Sequence, residues 1–167
     1  IPAFAAETNG SITITNPAQG ETYNIYYMFE LESYNEQENA YSYKITDAWR
    51  EFVTTGAGKD YFTLNDQDYV TIKDGVEIAN NSETAATLAK KALEYVQEKG
   101  LNATAVLPNN GSYVASQLPL GYYLIDSSLG ALCGLTTAKP DATIYEKNEI
   151  PTIDKQVKEG ETWGQQN

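Results

Sequence analysis

Eight short stretches of the chain carry β-branched or aromatic residues at alternate positions, and this repetition constrains the fold more than any other feature. They cover residues 11–15, 22–29, 41–45, 69–72, 103–107, 113–116, 122–126 and 142–146. None is long enough for a helix-dominated core, so the pattern predicts a mainly β fold, a β-sandwich with one or two inserted helices. Turn chemistry separates several of the runs: Pro17-Ala-Gln-Gly20, Lys73-Asp-Gly75 and Pro108-Asn-Asn-Gly111. The last of these predicts a hairpin between the runs on either side.

The clearer helix is predicted over 83–99, where Ala85, Leu88, Ala89, Ala92, Leu93 and Val96 share one face. Ser82 suits its N-cap, Glu83 and Lys99 complement the dipole, and Gly100 suits the left-handed C′ position. A shorter helix is predicted over 47–53, capped by Thr46 and stopped near Gly56, with Trp49, Phe52 and Val53 docking on a sheet. Residues 34–39 are polar and read as a loop containing Glu36 and Glu38.

Of the 167 residues 41% are hydrophobic, enough for a core of ordinary size in one domain. The 23 acidic against 11 basic residues give a net charge of -12, which disfavours nucleic acid and anionic membrane surfaces as partners. There is no His, so every triad with a His base is excluded, and the single Cys133 permits no internal disulfide. In its apolar run with no cation beside it, Cys133 reads as a small buried hydrophobe more readily than as a nucleophile. No apolar run approaches the roughly 18 to 20 residues of a membrane span, so no membrane insertion is expected of this stretch. Residues 1–6, with Ala3 and Ala5 before a polar stretch, read as a signal-peptide remnant or a disordered start. Pro151 and the change of composition after Ile144 mark 149–167 as a linker and the first strand of a following domain. That leaves 7–148 as the main domain.

No constellation assembles into catalysis. Asn65-Asp66-Gln67-Asp68 lacks the glycine and bidentate Glu of a calcium loop, and Gly56-Ala-Gly58-Lys59 lacks the spacing of a phosphate loop. We therefore expect no cofactor, no metal site and no enzyme activity. The 13 Tyr lie largely in predicted strands. Tyr23, Tyr26 and Tyr27 read as packing residues, with a protein- or glycan-binding row as the alternative.

Three segments carry a resemblance. Ser11-Ile-Thr-Ile-Thr-Asn-Pro-Ala-Gln-Gly-Glu-Thr-Tyr-Asn-Ile-Tyr-Tyr-Met-Phe29 resembles the opening of N-terminal domains in sortase-assembled Gram-positive backbone pilins of the streptococcal type. Leu118-Pro-Leu-Gly-Tyr-Tyr-Leu-Ile-Asp126 looks like a strand of the Ig-like, collagen-adhesin B-type Greek-key sandwich. Ala142-Thr-Ile-Tyr-Glu-Lys-Asn148 and Ile150-Pro-Thr-Ile-Asp-Lys-Gln-Val157 are similar to the last strand, pilin motif and second-domain entry of those proteins. The resemblance implies a secreted, cell-wall-anchored pilus subunit whose partners are neighbouring subunits and a sortase, with a host surface ligand as a further candidate.

In that family a lysine attacks a sortase-held thioester, and Lys147 matches that lysine. A solvated strand-end lysine is the alternative. The usual Tyr-Pro-Lys-Asn reads Tyr145-Glu-Lys-Asn148 here, and Glu146 and Glu149 are expected to oppose loss of the amine proton, whose reference pKa is about 10.4. Family members often carry an internal Lys–Asn or Lys–Asp isopeptide. Here Asn16 occupies the lysine position and Ser127 that of the assisting Glu, with Asp126 one residue earlier, so no such bond is expected within 1–150. Lys155 matches the isopeptide lysine of the following domain, whose partner would lie beyond Asn167. The rival to a shaft subunit is a tip or basal adhesin using exposed Tyr and the polar segment 32–39.

Overall fold

The computed structural model describes residues 6–35, 40–128 and 130–146. The chain is mainly β, 41% strand against 22% helical, in two sheets with few helices. In chain order the elements are β1 (Gly10–Thr15), β2 (Tyr23–Asn35), β3 (Ala40–Ile45), α1 (Arg50–Thr54), β4 (Phe62–Leu64), β5 (Tyr69–Ile72) and α2 (Glu83–Lys99). β6 (Ala105–Leu107), β7 (Val114–Leu118), β8 (Gly121–Ile125), β9 (Ala131–Leu135) and β10 (Asp141–Tyr145) follow.

The larger sheet runs β4-β5-β3-β2-β8-β9, with β6 pairing the start of β2; the smaller runs β10-β1-β7. Alternation does what period two demands in β1, where Ile12 and Ile14 are buried and the intervening threonines half-buried. β8 breaks alternation because both its faces are covered: all five residues are buried. One apolar core includes Ile12 and Ile14 from the small sheet, Phe29 and Tyr123 from the large one, and Trp49 and Leu88 from the helical segments.

α2 spans the predicted residues. Ser82 Oγ accepts the Ala85 N–H at 3.1 Å, and Gly100 adopts φ 62°. Leu88, Ala89, Ala92 and Val96 are buried, joined by Tyr95, whose hydroxyl donates to Ala48 O at 2.6 Å. Because Ser82 satisfies an otherwise orphaned donor, Ser82→Ala is expected to cost about 1 kcal/mol, read as a lower urea midpoint at unchanged slope. A loss below about 0.3 kcal/mol would show that the cap contributes nothing.

Four local expectations need correction. The shorter helix begins as a 3-10 turn, Asp47–Trp49, before α1, and Thr46 stands at its N-cap position without a capping side-chain bond: its Oγ1 donates instead to Met28 O at 2.7 Å, tying the helix start to β2. Residues 34 and 35 are not loop but the end of β2, in register with Tyr41 and Ala40; 36–39 lie outside the described residues. β4 and β9 are strands that alternation did not reveal. The 108–111 turn does form, with Asn109 and Ser112 exchanging backbone bonds at 2.8 and 2.9 Å, but it joins two sheets: β6 pairs β2 and β7 pairs β1. Pro108 has no N–H to continue a ladder, so the turn ends one pairing and the chain crosses to the other sheet.

Candidate functional site

The chain's first and last described strands lie side by side. β1 and β10 pair in parallel from Ser11↔Asp141 to Thr15↔Tyr145, which brings residues about 130 positions apart into one ladder. Ser11 Oγ donates to Asp141 Oδ1 at 2.6 Å at one end. At the other end Glu146 N–H donates to Thr15 O at 2.9 Å, and Asn16 Nδ2 donates to Glu146 O at 3.1 Å and to the Tyr145 hydroxyl at 3.3 Å. Asn16 takes φ 53°, a left-handed conformation that Asn tolerates and that turns the chain out of β1 before Pro17.

Glu146 is the unexpected member of this corner. Only 3% of it is exposed, and its carboxylate turns inward onto the turn after β8. Ser128 N–H donates to Oε2 at 3.0 Å and Oε1 at 3.2 Å, and Ser128 Oγ donates to Oε1 at 2.7 Å. Tyr23 stands nearby, its hydroxyl accepting the Ala18 N–H at 2.9 Å. Burial raises the Tyr23 phenol above its ordinary value; the Ala18 bond opposes this, and Glu146 and Glu21 add to the rise. Glu146, expected as an acid beside Lys147 that opposes loss of the amine proton, has its carboxylate turned inward onto Ser128. Ala142 and Ile144 alternate with it on the same inward parity, a signal that was open to a period-two reading.

Lys147 and Lys155 lie outside the described residues, as does Glu149. Of the positions where the resemblance places an internal isopeptide, Asn16 does meet the end of β10. Ser127 is buried beside Ser128. Asp126 points elsewhere, with Oδ1 accepting Asn24 N–H at 2.5 Å and Oδ2 accepting Asn24 Nδ2 at 2.7 Å, which locks β8 to β2. Lys44 sits over the Tyr69 ring, Lys91 over Tyr61, and Lys99 pairs with Glu51.

The 65–68 tract is a turn built on itself. Asn65 Oδ1 accepts the N–H groups of Gln67 and Tyr69, both at 2.9 Å, and Asp68 pairs with Arg50 at 2.8 Å. The bond from Arg50 holds the Asp68 carboxyl below its usual range. Among the described residues no group of three or more acidic or Cys side chains is arranged to hold a metal. Gly58 packs against the Phe52 ring in a 3-10 turn, Ala57–Asp60, so the glycines there serve helix docking. Cys133 is half-buried on β9, in register with Tyr123. Tyr23 and Tyr26 are buried and Tyr27 donates its hydroxyl to Leu120 O at 2.6 Å, so these three rings pack. No protein-family model and no curated protein matches the chain.

Proposed function

We propose that this chain contains the N-terminal domain of a sortase-assembled surface pilin, with an Ig-like, collagen-adhesin B-type Greek-key topology, and that Lys147 is its acceptor amine. The observation that carries the reading is the pairing of β1 with β10. β10, which carries Ala142 to Tyr145 of the motif, runs along the first strand of the domain, and Lys147 follows the last described residue, Glu146, in the sequence. Two sheets around one core with helices inserted between strands also agree with the proposed architecture.

The chemistry asked of the domain is small. A sortase thiol holds the carbonyl of another subunit's sorting signal as a thioester. The neutral Lys147 Nζ attacks that carbonyl carbon; the C–N bond forms, the C–S bond breaks, the thiol is regenerated and the amine gives up its proton. Activation of the amine belongs to the sortase, since the domain supplies only the nucleophile. The adhesin alternative drew on a Tyr row and on the segment 32–39. Tyr23 and Tyr26 are buried, so they do not support it; Glu32 belongs to β2, and residues 36–39 lie outside the described residues.

Incubating the full-length protein with its sortase tests the reading. Wild type is expected to form covalent ladders resistant to boiling in detergent, and Lys147→Ala none. Ladders undiminished in Lys147→Ala would overturn the assignment of the lysine.

A further inference from the structure

We propose that Asn110 is a self-modifying site whose side-chain amide is lost by attack of the Gly111 backbone nitrogen, an inference independent of the reading above. The chain holds two Asn-Gly dipeptides, Asn9-Gly10 and Asn110-Gly111, alike in local chemistry and placed differently by the fold. Asn110 and Gly111 are the central residues of the exposed turn between β6 and β7. Their φ values of 50° and 78° are both positive, the type I′ pattern. Asn109 N–H donates to Ser112 O and Ser112 N–H to Asn109 O, so the turn closes without using the Gly111 N–H. A Cβ at Gly111 would meet nothing within 4 Å, which leaves room for a ring to form and for water to enter. Gly10 is the opposite case. It is buried in β1 in register with Leu118, and a Cβ there would lie 2.8 Å from Leu135 Cδ1 and 2.9 Å from Leu118 O. Leu120 N–H donates to Glu7 O at 2.8 Å and Ser11 N–H to Pro140 O at 3.0 Å, so the chain is anchored on either side of Asn9-Gly10.

Ring closure needs one motion. Turning the peptide between Asn110 and Gly111 converts type I′ into type II′ while the flanking strands keep their places, and glycine at 111 accepts the change of φ. The same motion carries ψ of Asn110 to about −120°, where the Gly111 nitrogen eclipses Cβ and a planar five-membered ring can close. Residues with a side chain seldom hold that conformation, so the step is slow. Hydroxide removes the Gly111 N–H proton and the nitrogen attacks Asn110 Cγ. The N–Cγ bond forms, the Cγ–Nδ2 bond breaks, and ammonia leaves with a proton taken from water. Water then opens the imide at either carbonyl. One product is aspartate; the other is isoaspartate, in which the main chain runs through Cβ and Cγ. Isoaspartate thus adds a methylene to the backbone of a tight turn. Because that turn carries the chain from the large sheet to the small one, the longer backbone loosens the frame in which Val114 pairs with Thr13.

The test is peptide mapping by mass spectrometry of the full chain, held folded at about pH 8, below the alkaline unfolding expected above about 10. The peptide holding Asn110 is expected to gain about 1 Da with time, faster as the pH rises, and to separate into aspartyl and isoaspartyl forms. Asn9 is expected to react at least about tenfold more slowly, because it must wait for β1 to open locally. In urea, where the fold no longer separates them, the two sites should react at similar rates. Asn110→Gln should remove most of the gain from its peptide, since the longer side chain has to close a larger ring. The purified isoaspartyl form is expected to unfold at a lower urea concentration than the unmodified chain. Equal rates at Asn9 and Asn110 in the folded protein would overturn the proposal, as would an Asn110 peptide that gains mass in urea and not in the folded state. An unchanged urea midpoint for the isoaspartyl form would overturn its effect on the pairing of β7 with β1.

Discussion

Gly121→Ala is expected to destabilise the domain by roughly 4 kcal/mol, a loss large enough to leave a marginal domain partly unfolded. Gly121 opens β8 with φ 154°, a conformation that side chains rarely adopt. A Cβ there would lie 2.1 Å from Phe29 O and 2.6 Å from Tyr27 Cε1. Neither neighbour can yield cheaply. Phe29 sits just past a register shift in the β2–β8 ladder, where the strands are already locally distorted. The Tyr27 ring lies 4.9 Å from that of Tyr123, and its hydroxyl is bonded to Leu120 O, so rotating it away sacrifices a hydrogen bond and an aromatic contact together. Backbone strain of about 1–3 kcal/mol, added to about 1–3 kcal/mol for overpacking, gives the figure. Urea unfolding with the slope unchanged would check it; a loss under about 1 kcal/mol would mean that the strands part without resistance and that the close approach is not structurally required. Because β8 leads directly to Ser128, the same substitution is also expected to loosen the clasp on Glu146.

How much of this was legible in sequence depended on whether the decisive interaction was local. α2 was readable end to end because Ser82, its apolar face and Gly100 are all set by neighbours within a turn or two. β9 was not, since Ala-Leu-Cys-Gly-Leu has no alternation; it is a strand because β8 offers an edge, and Gly134 leaves room beside Tyr122 and Tyr43. The 108–111 turn shows the converse. Its local chemistry was read correctly, but which sheet each flanking strand joins is decided by Tyr23 and Ile12, far away in the chain. The candidate site divides in the same way. Parity along 142, 144 and 146 places Glu146 inward, yet its partner Ser128 comes from a turn in the other sheet, and no spacing along β10 encodes that contact. Asn16 was singled out for what it is not, a lysine; its bond to Glu146 O becomes visible only once β1 and β10 are paired in parallel.

Raising the pH above about 10 is expected to unfold the domain cooperatively, and phenols raised by burial set the slope, Tyr43 and Tyr122 in company with Tyr27 and Tyr123. Burial pushes the Tyr43 hydroxyl well above the usual phenol range, with Tyr41 adding to it. Burial does the same to Tyr122, with Cys133 and Tyr43 contributing. The two belong to β3 and β8, in the middle of the large sheet, where an ionised phenolate has no water to solvate it. Below the unfolded-state pKa of about 10 both states hold the proton and stability is independent of pH on this account. Above it the unfolded chain releases protons that the folded chain retains, so stability falls by about 1.4 kcal/mol per pH unit for each group, or about 3 kcal/mol for the pair. The bond from Glu51 likewise raises Lys99, an exposed pair that acts in the same direction. On the neutral side the chain has no His, so no side chain with an ordinary pKa between about 5 and 8 titrates, and stability is expected to be level there. Urea midpoints at a series of alkaline pH values, read beside phenolate absorbance, would test the account. Ionisation of these two rings should coincide with loss of structure, and the Tyr43→Phe, Tyr122→Phe double variant should show a slope shallower than wild type by up to about 3 kcal/mol per pH unit, the remainder coming from the other phenols raised by burial, such as Tyr27 and Tyr123. Phenolate absorbance attributable to Tyr43 or Tyr122 while the strands are still intact would refute it, because it would mean that water already reaches the centre of the sheet on which the β8 turn, and with it the hold on Glu146, depends.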